Sequence, residues 1–170
     1  MLTPHGWLEV KEQRGERDFC RVAMLLRQCY PQEAWTALDV QSFVEREGNV
    51  VKTLALGDDG LVIGSMLYRV KPDVVQIARV AVHERFRRCR AAIFAVRCLA
   101  GPTSPVRRKL YEARVHELNA AGIGLMRACG FAAESVAPGH YRDGHDAYVF
   151  RLFKEAPNRP QASVATVGQH

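Results

Sequence analysis

The sequence predicts a mixed α/β (α+β) fold, with a mostly antiparallel central sheet of about seven strands flanked by about four helices. Three features carry that expectation. β-branched, alternating runs recur at 50–56, 61–70, 74–82, 109–116 and 147–153. Segments with an apolar stripe at helical spacing, 16–30, 36–46, 90–100 and 120–129, are interspersed among them. Finally, Gly57-Asp58-Asp59-Gly60 is a tight-turn sequence that makes the runs on either side of it an antiparallel hairpin.

Taken in order, Trp7-Leu8-Glu9-Val10-Lys11 alternates as a first strand. The helix at 16–30 puts Phe19, Val22, Ala23, Leu26 and Tyr30 on one face, with Glu16 and Asp18 at its favourable N-terminal end, and Pro31-Gln32-Glu33 stops it. A second helix over 36–46 closes on Gly48-Asn49, residues suited to a left-handed cap. After the hairpin, Lys71-Pro72-Asp73 turns the chain into the strand 74–82. Gly101-Pro102-Thr103-Ser104-Pro105 breaks the helix that follows. Within 109–116, Leu110, Glu112, Arg114 and His116 share one strand face, and Tyr111, Ala113 and Val115 the other. Asn119 is a good N-cap for the helix 120–129, Gly130 ends it, and 131–136 and 147–153 close the fold.

At 170 residues the chain suits one domain. Residues 1–154 are assigned to it, and 155–170, with two prolines and no periodicity, to a mobile tail. No apolar run approaches the ~20 residues of a membrane span, and Met1-Leu2-Thr3-Pro4-His5-Gly6 lacks the regions of a signal peptide. A soluble cytoplasmic protein, monomeric or homodimeric and without a membrane partner, is the expectation. Cys20, Cys29, Cys89, Cys98 and Cys129 are scattered, odd in number and without a C-x-x-C pair, so neither disulfides nor a metal site are expected. The formal net charge of +6 favours anionic partners. The basic clusters at 85–90 and 107–109 lack the interleaved aromatics that stack on bases, which makes nucleic acid the minor reading.

The chain is organised around 74–100, where a strand runs through an arginine-rich turn into a helix. N–H groups unpaired at a helix start, with the helix dipole behind them, form an anion site, and Arg87, Arg88 and Arg90 surround that spot. A phosphorylated ligand fits there; the competing reading is a solvated basic turn. Val80-Ala81-Val82-His83-Glu84-Arg85-Phe86-Arg87-Arg88-Cys89-Arg90-Ala91-Ala92 looks like the strand and Q/R-x-x-G-x-G/A loop of the GNAT superfamily of acetyl-CoA-dependent N-acetyltransferases. The segment 119–131, from Asn119 to Phe131, resembles that family's N-x-x-A-x-x-L-Y-x-x-x-G-F, and 141–152 resembles the end of its ribosomal-protein-alanine acetyltransferase branch.

The resemblance implies that the strands 74–82 and 109–116 splay apart to form a slot for acetyl-CoA. The pantetheine would lie along Val80, Ala81 and Val82, and the pyrophosphate on the N–H groups of Arg88, Cys89, Arg90, Ala91 and Ala92 beside Arg87. Asn119 and Met126 would lie near the pantetheine arm. It further implies direct acetyl transfer to a primary amine, with a protein N-terminus as the acceptor. Three positions depart from the family pattern. Arg90 replaces a glycine, Met126 stands where a tyrosine commonly protonates the leaving thiolate, and Arg114 lies near the place of the branch's glutamate. Glu112 and His116 are candidate bases and Tyr141 a candidate acid or acceptor contact. Glu112 and Arg114 are equally able to pair with each other. The alternative function is a catalytically impaired module that uses the same fold to bind polyanions.

Overall fold

A computed structural model describes residues 2–3, 6–12, 15–57, 60–102 and 104–154. Eight strands form one sheet: β1 (Leu2–Thr3), β2 (Gly6–Glu12), β3 (Asn49–Leu56), β4 (Leu61–Val70), β5 (Val74–Val82), β6 (Leu110–His116), β7 (Ala132–Ala137) and β8 (Ala147–Phe153). Their order across the sheet is β1-β2-β3-β4-β5-β6-β8-β7, and β5 with β6 is the parallel pair. A parallel pair needs a crossover, which here carries α3 (Ala91–Ala100). The other helices are α1 (Glu16–Cys29), α2 (Ala37–Val44) and α4 (Ala120–Ala128). The expected mixed, mostly antiparallel sheet with four helices is what the chain forms, with the two-residue β1 in addition. The expected tail at 155–170 lies outside the described residues, as do Asp58 and Asp59 of the hairpin turn.

The sheet's two faces bury two cores. Phe19, Val22, Leu26 and Val40 from α1 and α2 cover Val51, Leu67 and Ala81. On the opposite face Ala95, Val96, Leu99 and Met126 from α3 and α4 cover Met66, Tyr68, Val75, Tyr111 and Phe150. Leu67 faces one core while Met66 and Tyr68 face the other, as a two-residue repeat requires. Each large aliphatic buried this way contributes about 1.5–3 kcal/mol. Local signals set the helix ends. Thr36 and Asp39 form a reciprocal capping box on α2, and Asn119 Oδ1 accepts the Gly122 N–H at 2.9 Å on α4. Gly48 has φ of 77°, the left-handed conformation expected after α2, and a Cβ there would collide with the Val70 carbonyl.

One irregularity positions everything that follows. In the β4–β5 ladder Tyr68 pairs with Ile77 and Leu67 with Arg79, so Ala78 is the extra residue of a bulge. The β5–β6 ladder runs from Val74 opposite Leu110 to Ile77 opposite Ala113 and stops there. A bulge bends its strand and breaks its pairing, so β5 leaves β6 where the bulge sits. The splay implied by the resemblance therefore has a local cause at Ala78.

Candidate functional site

The gap between the diverging halves of β5 and β6 opens into a cavity of about 820 Å³. Val80 and Val82 line its β5 wall, Ala113, Arg114, Val115 and His116 its β6 wall, and Asn119 and Met126 reach it from α4. Arg87, Arg88, Arg90, Ala91 and Ala92 close one end, and Tyr141 reaches it from the loop before β8. Most of the residues assigned from the sequence are thus brought together. Three are not. Ala81 is 1% exposed, with its side chain in the core under α1 and α2. Cys89 turns inward, its thiol donating to the Phe86 carbonyl at 2.8 Å. Glu112 is 7% exposed and lines the neighbouring cavity, with Arg114, His116 and Tyr141, instead of this one; it is held by Arg151 at 3.1 Å and Arg114 at 3.6 Å, with Gln76 donating to it at 3.4 Å. Its lone pairs face fixed donors, the arrangement that the Glu112–Arg114 pairing anticipated.

At the basic end, the chain leaves β5 through the turn Glu84–Phe86 and enters α3 with Arg88 and Arg90 at φ of 64° and 63°. No side chain caps α3, so the N–H groups of its first turn open onto the cavity end that the three arginines surround. These donors, with the dipole behind them, fit a diphosphate. On the β5 wall the carbonyls are already engaged. Tyr30 Oη donates to Val80 O at 2.8 Å, and Val82 O accepts from Arg87 Nε at 3.3 Å and from the Cys29 thiol at 3.5 Å. A ligand strand pairing along this edge therefore meets the N–H groups more readily than the carbonyls.

A second cavity, of about 920 Å³, shares Glu33, Arg79, Arg114, His116 and Tyr141 with the first, so the two meet where the strands part. Arg79 pairs with Glu33 through two hydrogen bonds, at 2.9 and 2.7 Å, and lies 5.5 Å from the centre of the Tyr30 ring. Tyr141 Oη donates to Arg114 O at 3.4 Å, and its ring centre is 4.6 Å from that of His116. Each diverging strand thus offers a carbonyl to a phenol. Burial raises the pKa of both phenols, with the Arg79 charge opposing it.

Around His116, Asp143 and His145 supply ligand-type atoms within 4.8 Å of one another. The Leu118 N–H donates to His116 Nδ1 at 3.1 Å, which leaves the proton of a neutral ring on Nε2, facing Asp143 Oδ2 at 3.2 Å. That tautomer makes a hydrogen-bonded pair; a metal on Nε2 would have to break it. Glu117 bonds His145 Nδ1 at 2.7 Å, which lowers the Glu117 pKa and raises that of His145.

From the sequence, Tyr30 and Glu33 were read only as part of a helix face and its stop, and Arg79 only as part of a strand; none was assigned to the site. They belong to a helix end, a turn and a strand, and their only local signal, Pro31 after Tyr30, marks a helix stop.

Among the described residues, a mostly antiparallel sheet whose parallel pair opens beside an uncapped helix start has the architecture seen in GNAT N-acetyltransferases, and this chain has that fold. Ard1 from Thermoplasma volcanium superposes with a TM-score of 0.73 at 20% identity, over 88% of this chain and 99% of that one. The ribosomal-protein-S18-alanine N-acetyltransferase from Escherichia coli gives 0.72 at 18% identity over 89% and 97% of the two chains. Arabidopsis thaliana NAA60 in complex with a bisubstrate analogue gives 0.70 at 16% over 88% and 100%. No protein-family model matches this sequence, nor does any curated protein.

Proposed function

We propose that this protein is an N-acetyltransferase that takes its acetyl group from acetyl-CoA and transfers it to a primary amine, the N-terminal amine of a protein, in the cytoplasm. The observation that carries this reading is the opening of β5 from β6 at Ile77 and Ala113 beside the uncapped start of α3. It supplies a slot with N–H donors along one wall and a cationic, N–H-rich end for a diphosphate. The second cavity meets the first at the splay, so an acceptor has its own approach and attack in a ternary complex needs no covalent enzyme intermediate. The protein N-terminal acceptor is supported by the closing segment's resemblance and by a structural neighbour named for a ribosomal-protein alanine.

In this reading Arg87, Arg88 and Arg90 hold the diphosphate with the N–H groups of Ala91 and Ala92, and Val82 N–H receives the carbonyl oxygen as it gains charge. Tyr141 receives the acceptor amine at the junction, and His116, packed on its ring and tethered to Asp143, keeps it there. Calorimetry tests the claim. Acetyl-CoA is expected to bind saturably and Arg88→Glu to abolish binding, while a panel of peptides with free N-termini is acetylated at a rate that Tyr141→Phe lowers by about 10–100-fold. Absence of heat with acetyl-CoA, or binding of unrelated polyanions with equal affinity, refutes it.

A further inference from the structure

We infer that Tyr30 is a catalytic proton donor, giving the departing thiolate the proton that Met126 has no means to supply. This rests on the acetyl-transfer reading above. Met126 lines the first cavity from α4, and a thioether carries no proton to donate. From the β5 side of the same cavity comes the Tyr30 phenol. Its position is held at several points: its N–H donates to Leu26 O at 2.7 Å as the cap of α1, Pro31 begins the turn after it, and Arg79 sits over its ring.

The hydroxyl is placed by its 2.8 Å bond to Val80 O. Val80 and Val82 are alternate residues of one strand, so their backbone groups point the same way, and the cavity-lining donors Tyr30, Cys29 and Arg87 mark that way as the cavity. Two residues of strand span about 6.6 Å, so a thioester whose carbonyl takes the Val82 N–H lies along the strand beside Val80, and the Tyr30 O–H would swing from Val80 O to meet its sulfur. Tyr141 is placed differently. It lines both cavities and belongs to the acceptor's approach, whereas Tyr30 lines only the first. Burial, the largest influence on it, raises the Tyr30 pKa from its ordinary 10.0, so the phenol carries its proton at neutral pH.

The step balances without another reagent. The amine nitrogen bonds to the carbonyl carbon, the carbon–sulfur bond breaks with its electron pair going to sulfur, and the Tyr30 proton moves to sulfur. The phenolate then takes the proton that the nitrogen sheds. An amide and a free thiol leave, and Tyr30 is restored.

The test compares wild type, Tyr30→Phe and an enzyme carrying a fluorinated tyrosine, a stronger phenolic acid, at position 30. Tyr30→Phe is expected to lower kcat by about 10²-fold with the acetyl-CoA dissociation constant and melting temperature little changed. The fluorinated enzyme is expected to stay active and to lose kcat at a lower pH than wild type, because its donor ionises earlier. A purely structural phenol would leave that alkaline limb where it is. Either an unmoved limb, or a Tyr30→Phe rate within about threefold of wild type, overturns the inference while leaving acetyl transfer intact. A wild type that binds acetyl-CoA yet acetylates no amine removes the transfer reading, and this inference with it.

Discussion

Arg88 and Arg90 hold left-handed backbone conformations at 64° and 63°, where a residue with a Cβ is disfavoured by about 1 kcal/mol. Strain of this kind persists where the surroundings impose it, and here it falls at the cavity end, which the two residues line with their guanidinium groups. Position 90 was recognisable in the sequence as an arginine in a glycine's place; position 88 was not, because nothing in Arg87-Arg88-Cys89 signals a positive φ. Replacing Arg90 separates backbone from charge. Arg90→Gly relieves the strain but loosens the unfolded chain by a similar amount, so its melting temperature is expected to match wild type. Arg90→Ala keeps the strain, and both variants lose the charge. Both are expected to bind acetyl-CoA up to about tenfold more weakly in calorimetry, the equivalent of about 1.4 kcal/mol. If Arg90→Gly bound more tightly than wild type, the side chain would be a hindrance to the ligand.

At the scale of elements, strand and helix boundaries were readable from the sequence because alternation, caps and turns are local. The bulge at Ala78 was not read: the adjacent apolar pair Ile77-Ala78 interrupts the alternation of β5, but only pairing against β4 shows which residue is the extra one. The loop between β7 and β8 carries Tyr141 and is tied down by titrating groups. The Glu117 pKa lies below its ordinary 4.5, chiefly through the His145 hydrogen bond, so its contribution is present above 4.5 and is lost as pH falls through the lowered value. The His145 pKa lies above its ordinary 6.5, chiefly through Glu117, so its contribution is full below 6.5 and is lost as pH rises through the raised value. Both hold between those limits. Amides of 139–146, corrected for intrinsic exchange rates, are therefore expected to exchange hydrogen more slowly at pH 5.5 than at pH 9, and Glu117→Gln to erase the difference. Equal corrected rates at the two pH values would show that the ion pair does not anchor the loop.

The whole molecule presents two cavities that meet through one opening in its sheet, with a formal net charge of +6 around them. Net charge attracts any anion, whereas a fitted slot selects one with few charges. Raising salt from 50 to 200 mM should accordingly weaken acetyl-CoA binding by less than about tenfold, against the 10³–10⁵-fold loss of a protein that grips nucleic acid through six to ten phosphates. A steep loss would favour the polyanion reading. No helix among the described residues is long and apolar enough to cross a membrane.

By itself the sequence determined the order and kind of the strands and α-helices from β2 onward, the hairpin, the cap at Asn119 and the basic turn before α3, because each is written in residues a few positions apart. Tertiary structure decided which side chains share the opening. It drew Tyr30 from the end of α1 to Val80, 50 positions away, and it bound Glu112 to Arg151, 39 positions on. Contacts at such separations depend on how layers pack and where a ladder breaks, and no local pattern encodes them.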